Sequence, residues 1–271
     1  MVLESFETDG GKLAVEIEGE GPLVVCCPGM GDHRDAFKPL ATQLLQEGYK
    51  VAVMDHRGHG DSSTTFIRYG DEATADDFLL LVDRLGNGRA VLAGVSFAGG
   101  AATIAAGKRP DAIAGVILLG PFLRNPSDIA IKIMPILFWW PWGPTVWEFY
   151  AGTLWPGLSD GGTARAAESR ALLTRTGHWP AFQNLVGSID HREVGPWVEK
   201  ASGVPALVVM GDKDPDWSKP QEEAEWVASN FRDHQLLMVA GAGHAPMLER
   251  PDLVGPSVIA FLAKLNKSGR F

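Results

Sequence analysis

At its most informative point the chain reads Val91-Leu92-Ala93-Gly94-Val95-Ser96-Phe97-Ala98-Gly99-Gly100, which joins an apolar run to a helical run through one serine. A strand-to-helix turn this tight leaves room only for small residues two positions before and two positions after the serine. Gly94 and Ala98 occupy those positions. The turn would raise the Ser96 hydroxyl above a sheet, at a helix N-terminus where free N–H groups favour a developing negative charge. The stretch therefore predicts a nucleophile elbow.

Similar apolar runs recur along the chain, and most are followed by a turn and a helical pattern. Seven runs are predicted as strands: Leu13–Glu18, Leu23–Cys27, Val51–Asp55, Ala90–Val95, Gly115–Leu119, Pro205–Met210 and Leu236–Val239. Six are nearly continuous in apolar residues, as in a parallel sheet that is covered on both faces. Leu13–Glu18 alternates instead, which is typical of an antiparallel edge strand. Helices are predicted over Ala75–Leu85, Phe97–Gly107, Gln221–Asn230 and Leu253–Leu265, and the alternation indicates an α/β fold.

One segment, from about residue 122 to about residue 201, shows no clear strand pattern. It holds seven of the nine tryptophans: Trp139, Trp140, Trp142, Trp147, Trp155, Trp179 and Trp197. This shift in composition predicts a helical insertion that sits on the sheet. We expect most of these tryptophans to form the insertion's own core and its contact with the sheet.

Composition and charge exclude several classes of protein. The apolar fraction of 45% and the charged fraction of 21% are typical of a globular chain. The net charge of -9 disfavours nucleic-acid binding, which requires a basic face. The two cysteines, Cys26 and Cys27, are neighbours in a predicted strand, so they point to opposite faces. Neither a disulfide nor a cysteine-based metal site is therefore expected.

The sequence predicts neither a signal peptide nor a membrane span. Residues 1–11 carry acidic side chains and lack an apolar core region. The longest uncharged apolar window, Ile133–Trp147, is shorter than a membrane span and is interrupted by Pro135, Pro141 and Pro144. We therefore expect a soluble, cytoplasmic protein.

Together with the elbow, four motifs make the chain resemble the α/β-hydrolase superfamily, in its cap-bearing branch, over essentially its whole length. Cys27-Pro28-Gly29-Met30-Gly31 is similar to the family's oxyanion loop, although Pro28 stands where the family often has histidine. Residues 55–62, Asp-His-Arg-Gly-His-Gly-Asp-Ser, are similar to the D-x-R-G-x-G-x-S turn. Gly211-Asp212-Lys213-Asp214 and Gly241-Ala242-Gly243-His244 follow the strands after which the family keeps its triad acid and its triad histidine.

This resemblance implies the architecture of the chain. We expect an α/β-hydrolase fold with a mostly parallel, eight-stranded sheet flanked by helices. The core would comprise residues 1–121 and 202–271, and residues 122–201 would form a helical lid, or cap, inserted between the two parts of the core.

The resemblance also implies a catalytic triad of Ser96, Asp214 and His244, in the chain order that this fold uses. His244 would take the proton of Ser96, and Asp214 would fix the tautomer of the histidine. The backbone N–H groups of Met30 and Phe97 would form the oxyanion hole, and neither a metal nor another cofactor is expected. The serine could instead be a helix N-cap and the histidine a loop residue, but the agreement of the separate motifs favours catalysis.

The acid of the triad has rivals in the same loop. Asp212 and Asp216 lie close to Asp214, and aspartates cluster in turns for local hydrogen bonding. Asp214 is favoured because it lies three residues after the glycine that ends the strand, which is the family's spacing. Some family members place the acid after the preceding strand, but residues 120–125 contain no carboxylate.

Two histidines and two aspartates of the D-x-R-G-x-G-x-S turn suggest a metal site as an alternative. They are His56, His59, Asp55 and Asp61. The resemblance instead implies a rigid turn beneath the active site, and we favour that interpretation.

An apolar pocket is expected over Ser96, because ligand pockets are mostly apolar with a few polar groups. The candidate lining residues are Gly29, His33, Phe122, Leu137, Phe138, Trp139, Trp142 and Phe149. His33 could instead be a solvated loop residue. The aromatic insertion could also meet a lipid surface, although it has few basic residues for anionic head groups.

The sequence therefore predicts a carboxylesterase- or lipase-like serine hydrolase that cleaves a carboxylic ester, or a related acyl compound with an apolar part, through an acyl-enzyme. Ser96 argues against the epoxide-opening and halide-removing relatives, which carry aspartate at the elbow. Alternatives on the same triad are a carbon–carbon bond hydrolase and a cofactor-free perhydrolase or haloperoxidase-like enzyme. An alternative from another class is a catalytically silent member that binds a small ligand. The expected partner is a small apolar substrate, and the aromatic insertion could supply an oligomer interface.

Overall fold

An eight-stranded sheet forms the centre of the computed structural model, which describes residues 1–86 and 88–271. The strands in chain order are β1 (Val2–Thr8), β2 (Gly11–Glu18), β3 (Leu23–Cys27), β4 (Lys50–Met54), β5 (Ala90–Val95), β6 (Ile113–Leu119), β7 (Ala206–Gly211) and β8 (His234–Val239). Their order across the sheet is β1-β2-β4-β3-β5-β6-β7-β8. β2 pairs antiparallel with β1 and with β4, and the pairs from β4 to β8 are parallel. The predicted mostly parallel sheet is confirmed.

The strand that the sequence analysis does not predict is β1. Its side chains are exposed or half-buried, so they show no apolar alternation. β1 pairs with β2 from Val2 opposite Ile17 to Thr8 opposite Gly11. The prediction of β2 as an edge strand is therefore wrong: β2 is antiparallel, as expected, but it lies inside the sheet because β1 covers its outer edge.

Helices lie on both faces of the sheet. They are α1 (Lys38–Gln46), α2 (Asp71–Leu85), α3 (Phe97–Lys108), α4 (Asp128–Leu137), α5 (Gly143–Ala151), α6 (Thr163–Leu173), α7 (His178–Ser188), α8 (Gly195–Ala201), α9 (Pro220–Ser229), α10 (Pro246–Glu249) and α11 (Pro251–Lys267), with short 3-10 helices at Arg34–Phe37 and His191–Glu193. The buried faces of α2, α3 and α9 join one apolar cluster, and those of α1 and α11 join the other. The four predicted helices are all present.

The two apolar clusters lie on opposite faces of the sheet, and the adjacent cysteines of β3 belong to different clusters. Cys27 packs with Leu92 and Val116, whereas Cys26 packs with Val53 and Ile117. Both cysteines are free thiols and are buried.

Five helices, α4 to α8, lie between β6 and β7. Trp147 of α5 and Phe182 of α7 are fully buried there, with ring centroids 5.0 Å apart, and Phe138 and Trp179 pack around them. The division of the chain into a core and a separate lid at residues 122–201 stays a prediction. Within the described residues, no helix has both the length and the apolar composition that crossing a membrane requires.

Candidate active site

The loops that carry the predicted site residues meet at one edge of the sheet. β3, β5, β6, β7 and β8 are successive parallel neighbours, so the segments that follow them leave the sheet at the same edge. Met30 follows β3, Ser96 follows β5, Asp214 follows β7 and His244 follows β8. The chain also reverses its direction of progress across the sheet between β3 and β5, which is where ligands bind in open α/β sheets.

Ser96 lies on a strained turn. It is one of two non-glycine residues with a positive φ in the described part of the chain, at φ 61° and ψ -129°. A side chain at Gly94 would place its Cβ 2.2 Å from the carbonyl oxygen of Ala98, so glycine is required there. The Ser96 N–H donates to the Leu119 carbonyl at 3.0 Å, and the Ser96 carbonyl accepts from the Gly99 N–H at 2.9 Å. Such strain costs about 1–3 kcal/mol and is typical of functional sites.

The two predicted oxyanion donors, Met30 and Phe97, belong to segments next to Ser96. Phe97 is the first residue of α3, so its N–H has no intrahelical acceptor. Met30 lies in the turn after β3, and both residues line the same cavity as Ser96. This turn touches the serine, because a Cβ built on Gly29 would lie 3.1 Å from the Ser96 Cβ. Two amides in this arrangement could bind an oxyanion, which is the role predicted for them.

Two buried histidines hold the turn after β3. His56 Nε2 lies 3.1 Å from the Gly29 carbonyl oxygen, and His59 Nε2 accepts from the Gly31 N–H at 3.1 Å. Burial lowers the pKa of His56 to about 4 and holds the pKa of His59 well below its usual value. Both rings are therefore neutral at physiological pH, and they fix the residues on either side of Met30.

The aspartates of the same motif bind protein groups rather than these histidines. Arg34 forms ion pairs with both Asp55 and Asp61. Asp55 also accepts a hydrogen bond from the Asp61 N–H at 2.9 Å, and the Ser62 hydroxyl donates to the Asp55 carbonyl at 2.6 Å. The arrangement matches the rigid turn that the motif implies better than it matches the alternative of a metal site.

His244 and Asp214 form a buried, hydrogen-bonded pair. His244 Nδ1 lies 2.9 Å from Asp214 Oδ2, and the two side chains are 7% and 0% exposed. Gly120, at φ 51°, allows the loop after β6 to approach them, because a Cβ there would lie 3.3 Å from His244 Nδ1. With Nδ1–H held by the carboxylate, Nε2 of the neutral ring carries the lone pair.

A second carboxylate touches the same histidine nitrogen. Asp216 Oδ2 lies 3.3 Å from His244 Nδ1, and the Tyr150 hydroxyl donates to Asp216 Oδ1. Burial lowers the pKa of His244, but the charges of Asp214 and Asp216 outweigh it and raise the pKa to about 9. Burial raises the pKa of Asp216, and the nearby charge of Asp214 raises it further.

This cluster is also the group of residues that could hold a metal ion within the described chain. Ligand atoms of Asp214, Asp216 and His244 all lie within 4.8 Å of one another. The same groups already bind each other and Tyr150, so an ion would have to displace those hydrogen bonds. The donor set suits a proton relay better than a metal centre.

A cavity of about 510 Å³ lies over Ser96, and His244 also lines it. Most of the wall is apolar, with contributions from α4, α5 and the loop after β6. In the part of the chain that the structure describes, no hydrogen bond joins the Ser96 hydroxyl to the His244 ring. The structure thus brings the three predicted triad residues to one place and joins two of them directly.

Three of the predicted pocket residues line this cavity: Phe122, Leu137 and Phe138. Gly29 lies beneath it against Ser96. His33 lies outside it, buried, with Nε2 3.7 Å from a carboxylate oxygen of Glu168.

The structure places the other three predicted pocket residues, Trp139, Trp142 and Phe149, on the outer surface, where they are 59%, 50% and 82% exposed. Phe149 is absent from the cavity wall, although Val146 and Tyr150 of the same helix line it, because a step of one residue from Tyr150 turns the side chain by about 100°. Trp142 is held outside by its indole N–H, which donates to the Ile136 carbonyl at 3.1 Å. Trp139 follows Phe138, the residue after the end of α4, and is not part of the cavity wall.

Sequence reasoning missed a buried glutamate that organises the His244 loop. Glu249 accepts hydrogen bonds from the N–H groups of Gly157, Gly243 and Ala245, at 2.7, 2.8 and 3.1 Å. It therefore fixes both neighbours of His244 in the chain. A carboxylate in a short helix just after the motif gives no sequence signal of this role.

A second histidine–carboxylate pair on the cavity wall was also missed. His191 lines the cavity, and its Nδ1 lies 2.8 Å from Oδ2 of the fully buried Asp71. The two residues are far apart in the sequence and belong to no motif. Their meeting depends on how the segment between β6 and β7 packs against α2.

Comparison with known proteins agrees with this architecture. The family model described as alpha/beta hydrolase fold matches residues 22–251. A proline iminopeptidase, PfmaB, of Pestalotiopsis fici is 25% identical over 97% of this chain and 100% of its own length. A 2-(acetamidomethylene)succinate hydrolase of Mesorhizobium japonicum is 32% identical over 47% of each chain. A thermophilic esterase of Thermogutta terrifontis has a solved structure with a TM-score of 0.77 and 26% identity, covering 97% of this chain and 99% of its own. The chain therefore belongs to the α/β-hydrolase family.

Proposed function

We propose that the protein is a carboxylesterase- or lipase-like serine hydrolase that cleaves an ester, or a related acyl compound, with an apolar part. The observation that carries this proposal is the convergence of Ser96, on its strained turn, with the His244–Asp214 pair at the wall of one apolar cavity. An ester supplies a carbonyl for the hydroxyl to attack and an apolar portion for the cavity. The relatives include a peptidase and other hydrolases, which supports hydrolysis as the general reaction.

The reaction would begin with attack of Ser96 Oγ on the carbonyl carbon while His244 Nε2 takes the hydroxyl proton. The Met30 and Phe97 N–H groups would stabilise the oxyanion, and Asp214 the imidazolium. The imidazolium then gives its proton to the departing alcohol and leaves an acyl-enzyme. His244 next takes a proton from the water that attacks the acyl carbon. The bond between that carbon and Ser96 Oγ then breaks, Oγ takes the proton back from His244, and the acid is released.

The first step requires the Ser96 hydroxyl to turn toward His244 Nε2. Catalytic hydrogen bonds are often long or misaligned in a free enzyme and tighten when substrate binds.

We also propose that the helices of residues 122–201 act as a lid. Ile131 and Met134 of α4 line the cavity, although α4 has no fully buried side chain, so this helix forms a thin cover over the site.

A fluorophosphonate probe tests the proposed function directly. We expect the folded protein to be labelled at Ser96, as read from the mass of the modified peptide. Ser96→Ala should lose the label and should lower kcat for a p-nitrophenyl ester by about 10⁶-fold. Ser127→Ala is the matched control, because Ser127 lines the same cavity, and it should keep the label. Labelling that survives Ser96→Ala would show that the nucleophile lies elsewhere.

A further inference from the structure

The second histidine–carboxylate pair lies on the cavity wall away from Ser96. His191 begins a 3-10 helix, and Asp71 is the first residue of α2. Their side chains are 4% and 0% exposed, and His191 Nδ1 lies 2.8 Å from Asp71 Oδ2. Burying a polar pair often costs free energy relative to apolar residues of the same volume. A role in binding would account for its presence.

The geometry of the pair leaves one ring nitrogen for the cavity. Asp71 Oδ1 is buried with no hydrogen-bond partner among the described residues, so Nδ1–H of His191 is the donor that this carboxylate binds. Asp71 also lies at the N-terminus of α2, where the helix dipole favours its negative charge. In the tautomer with the proton on Nδ1, Nε2 carries the lone pair and is an acceptor.

The surroundings of His191 favour a neutral ligand group over an anion. Asp71 contacts it and Glu193 lies two positions further along the chain, whereas the neighbouring Asp190 is ion-paired with Arg192. A substrate carboxylate placed at Nε2 would be repelled by these negative charges. A neutral donor, such as a hydroxyl or an amide N–H, would meet the lone pair without that cost.

Phe122 separates this pair from the candidate triad. Its ring stacks on His191 with centroids 5.0 Å apart and an interplanar angle of 20°, and its centroid lies 5.8 Å from that of His244. Ile131 and Ile189 contribute apolar wall to the same cavity. A substrate group at His191 is therefore separated from the scissile carbonyl by at least the width of one aromatic ring.

We propose that His191, oriented by Asp71, is a binding residue that accepts a hydrogen bond from a hydroxyl or amide N–H on the part of the substrate that fills the cavity. The preferred substrates are then esters that carry such a donor some bonds away from the scissile carbonyl. This proposal rests on the proposed function, because it assumes that the ester occupies this cavity.

Binding to the Ser96→Ala protein tests this proposal apart from catalysis. The probes are p-nitrophenyl alkanoates with a hydroxyl or an amide N–H moved stepwise along the acyl chain, each paired with the methylene compound of equal length. Titration calorimetry gives the dissociation constants. We expect one position at which the donor compound binds roughly fivefold more tightly than its partner, since a buried hydrogen bond contributes about 1 kcal/mol.

Matched variants locate the acceptor. Adding His191→Phe and Asp71→Leu to Ser96→Ala removes both polar partners together, which avoids an unpaired buried charge. The preference should then vanish while the methylene compound still binds. Ser127→Ala and Ser218→Ala, which remove two other hydroxyl groups of the wall, should keep the preference.

Equal affinity of the donor compound and the methylene compound in every pair would overturn the proposal, as would a preference for the donor that only the serine variants remove. A third contrary result would be tighter binding of the compound that carries a ketone in place of the hydroxyl, because a ketone can only accept a hydrogen bond. Failure of the proposed function would give a different result. The fluorophosphonate would then not label Ser96, whether or not the donor compounds bind more tightly than the methylene compounds.

Discussion

The wall of the cavity carries two histidine–carboxylate pairs that are built alike. In each, Nδ1 of a nearly buried histidine contacts a carboxylate oxygen of a fully buried aspartate, at 2.9 Å for His244–Asp214 and at 2.8 Å for His191–Asp71. Phe122 lies between the two rings. Each pair fixes the tautomer of its histidine in the same way, so internal geometry alone does not distinguish a base from a binding group.

The difference lies in what surrounds each pair. His244 follows β8 at the edge of the sheet where the elbow and the turn after β3 end, and it carries the second carboxylate, Asp216. His191 lies in the segment between β6 and β7, stacked on Phe122. A histidine–aspartate pair can act as a general base only where a nucleophile and oxyanion donors are within reach. Elsewhere the same pair offers a single hydrogen bond.

Replacing each histidine by glutamine gives the strongest test of whether the two pairs have different roles. Glutamine can hydrogen-bond the aspartate but cannot act as a base. We expect His244→Gln to lower kcat for a simple p-nitrophenyl ester by about 10⁶-fold. His191→Gln should lower kcat/KM by only about tenfold, because it disturbs one wall of the cavity. Steady-state hydrolysis measures both, and losses of similar size would refute the division of roles between the two pairs.

Replacing aspartates in the loop after β7 should give a smaller loss of kcat that depends on which aspartate is changed. We expect Asp214→Asn to lower kcat by about 10⁴-fold, because the wrong tautomer of His244 would be stabilised. Asp212→Asn is the matched control in the same loop: its carboxylate accepts from the Gly241 N–H at 2.7 Å, near the surface, and its loss should cost less than about tenfold. The reverse ranking in a kcat assay would move the acid of the triad to Asp212.

The sheet could be predicted because it follows from local patterns, and the convergence of Ser96, Asp214 and His244 could be predicted because their motifs resemble those of the family. Buried strands are continuous in apolar residues, and the carboxyl ends of parallel strands share an edge. The elbow is equally local, since one steric contact of 2.2 Å, with the backbone carbonyl oxygen of Ala98, requires glycine at position 94.

The cavity wall could not be predicted in the same way, because it depends on the faces that the inserted helices present. Trp142 and Phe149 have the composition expected of pocket residues but lie on the outside, whereas Tyr150, one position further along α5, reaches Asp216. Likewise, His191 and Asp71 meet across 120 positions of sequence. One residue of shift around a helix changes the direction of a side chain by about 100°.

The smallest expected effect is that of replacing Asp216, the second carboxylate beside the His244–Asp214 pair. The neutral ring of His244 is the active form, and the pKa of about 9 means that kcat/KM should rise with pH through that value. Because the negative charge of Asp216 helps to raise this pKa, Asp216→Asn should shift the rise to lower pH and increase the neutral fraction at pH 7. Profiles of kcat/KM from about pH 6 to about pH 10 measure the shift.

Asp252→Asn, a change in an exposed carboxylate paired with Arg250, is the control and should leave the midpoint in place. His191 provides the contrast, since it carries no second carboxylate contact of this kind in the described structure, and His191→Gln should not move the midpoint either. If Asp216→Asn raised the midpoint or left it fixed, the second carboxylate would not act on the charge of His244. The two pairs would then differ only in their distance from the nucleophile.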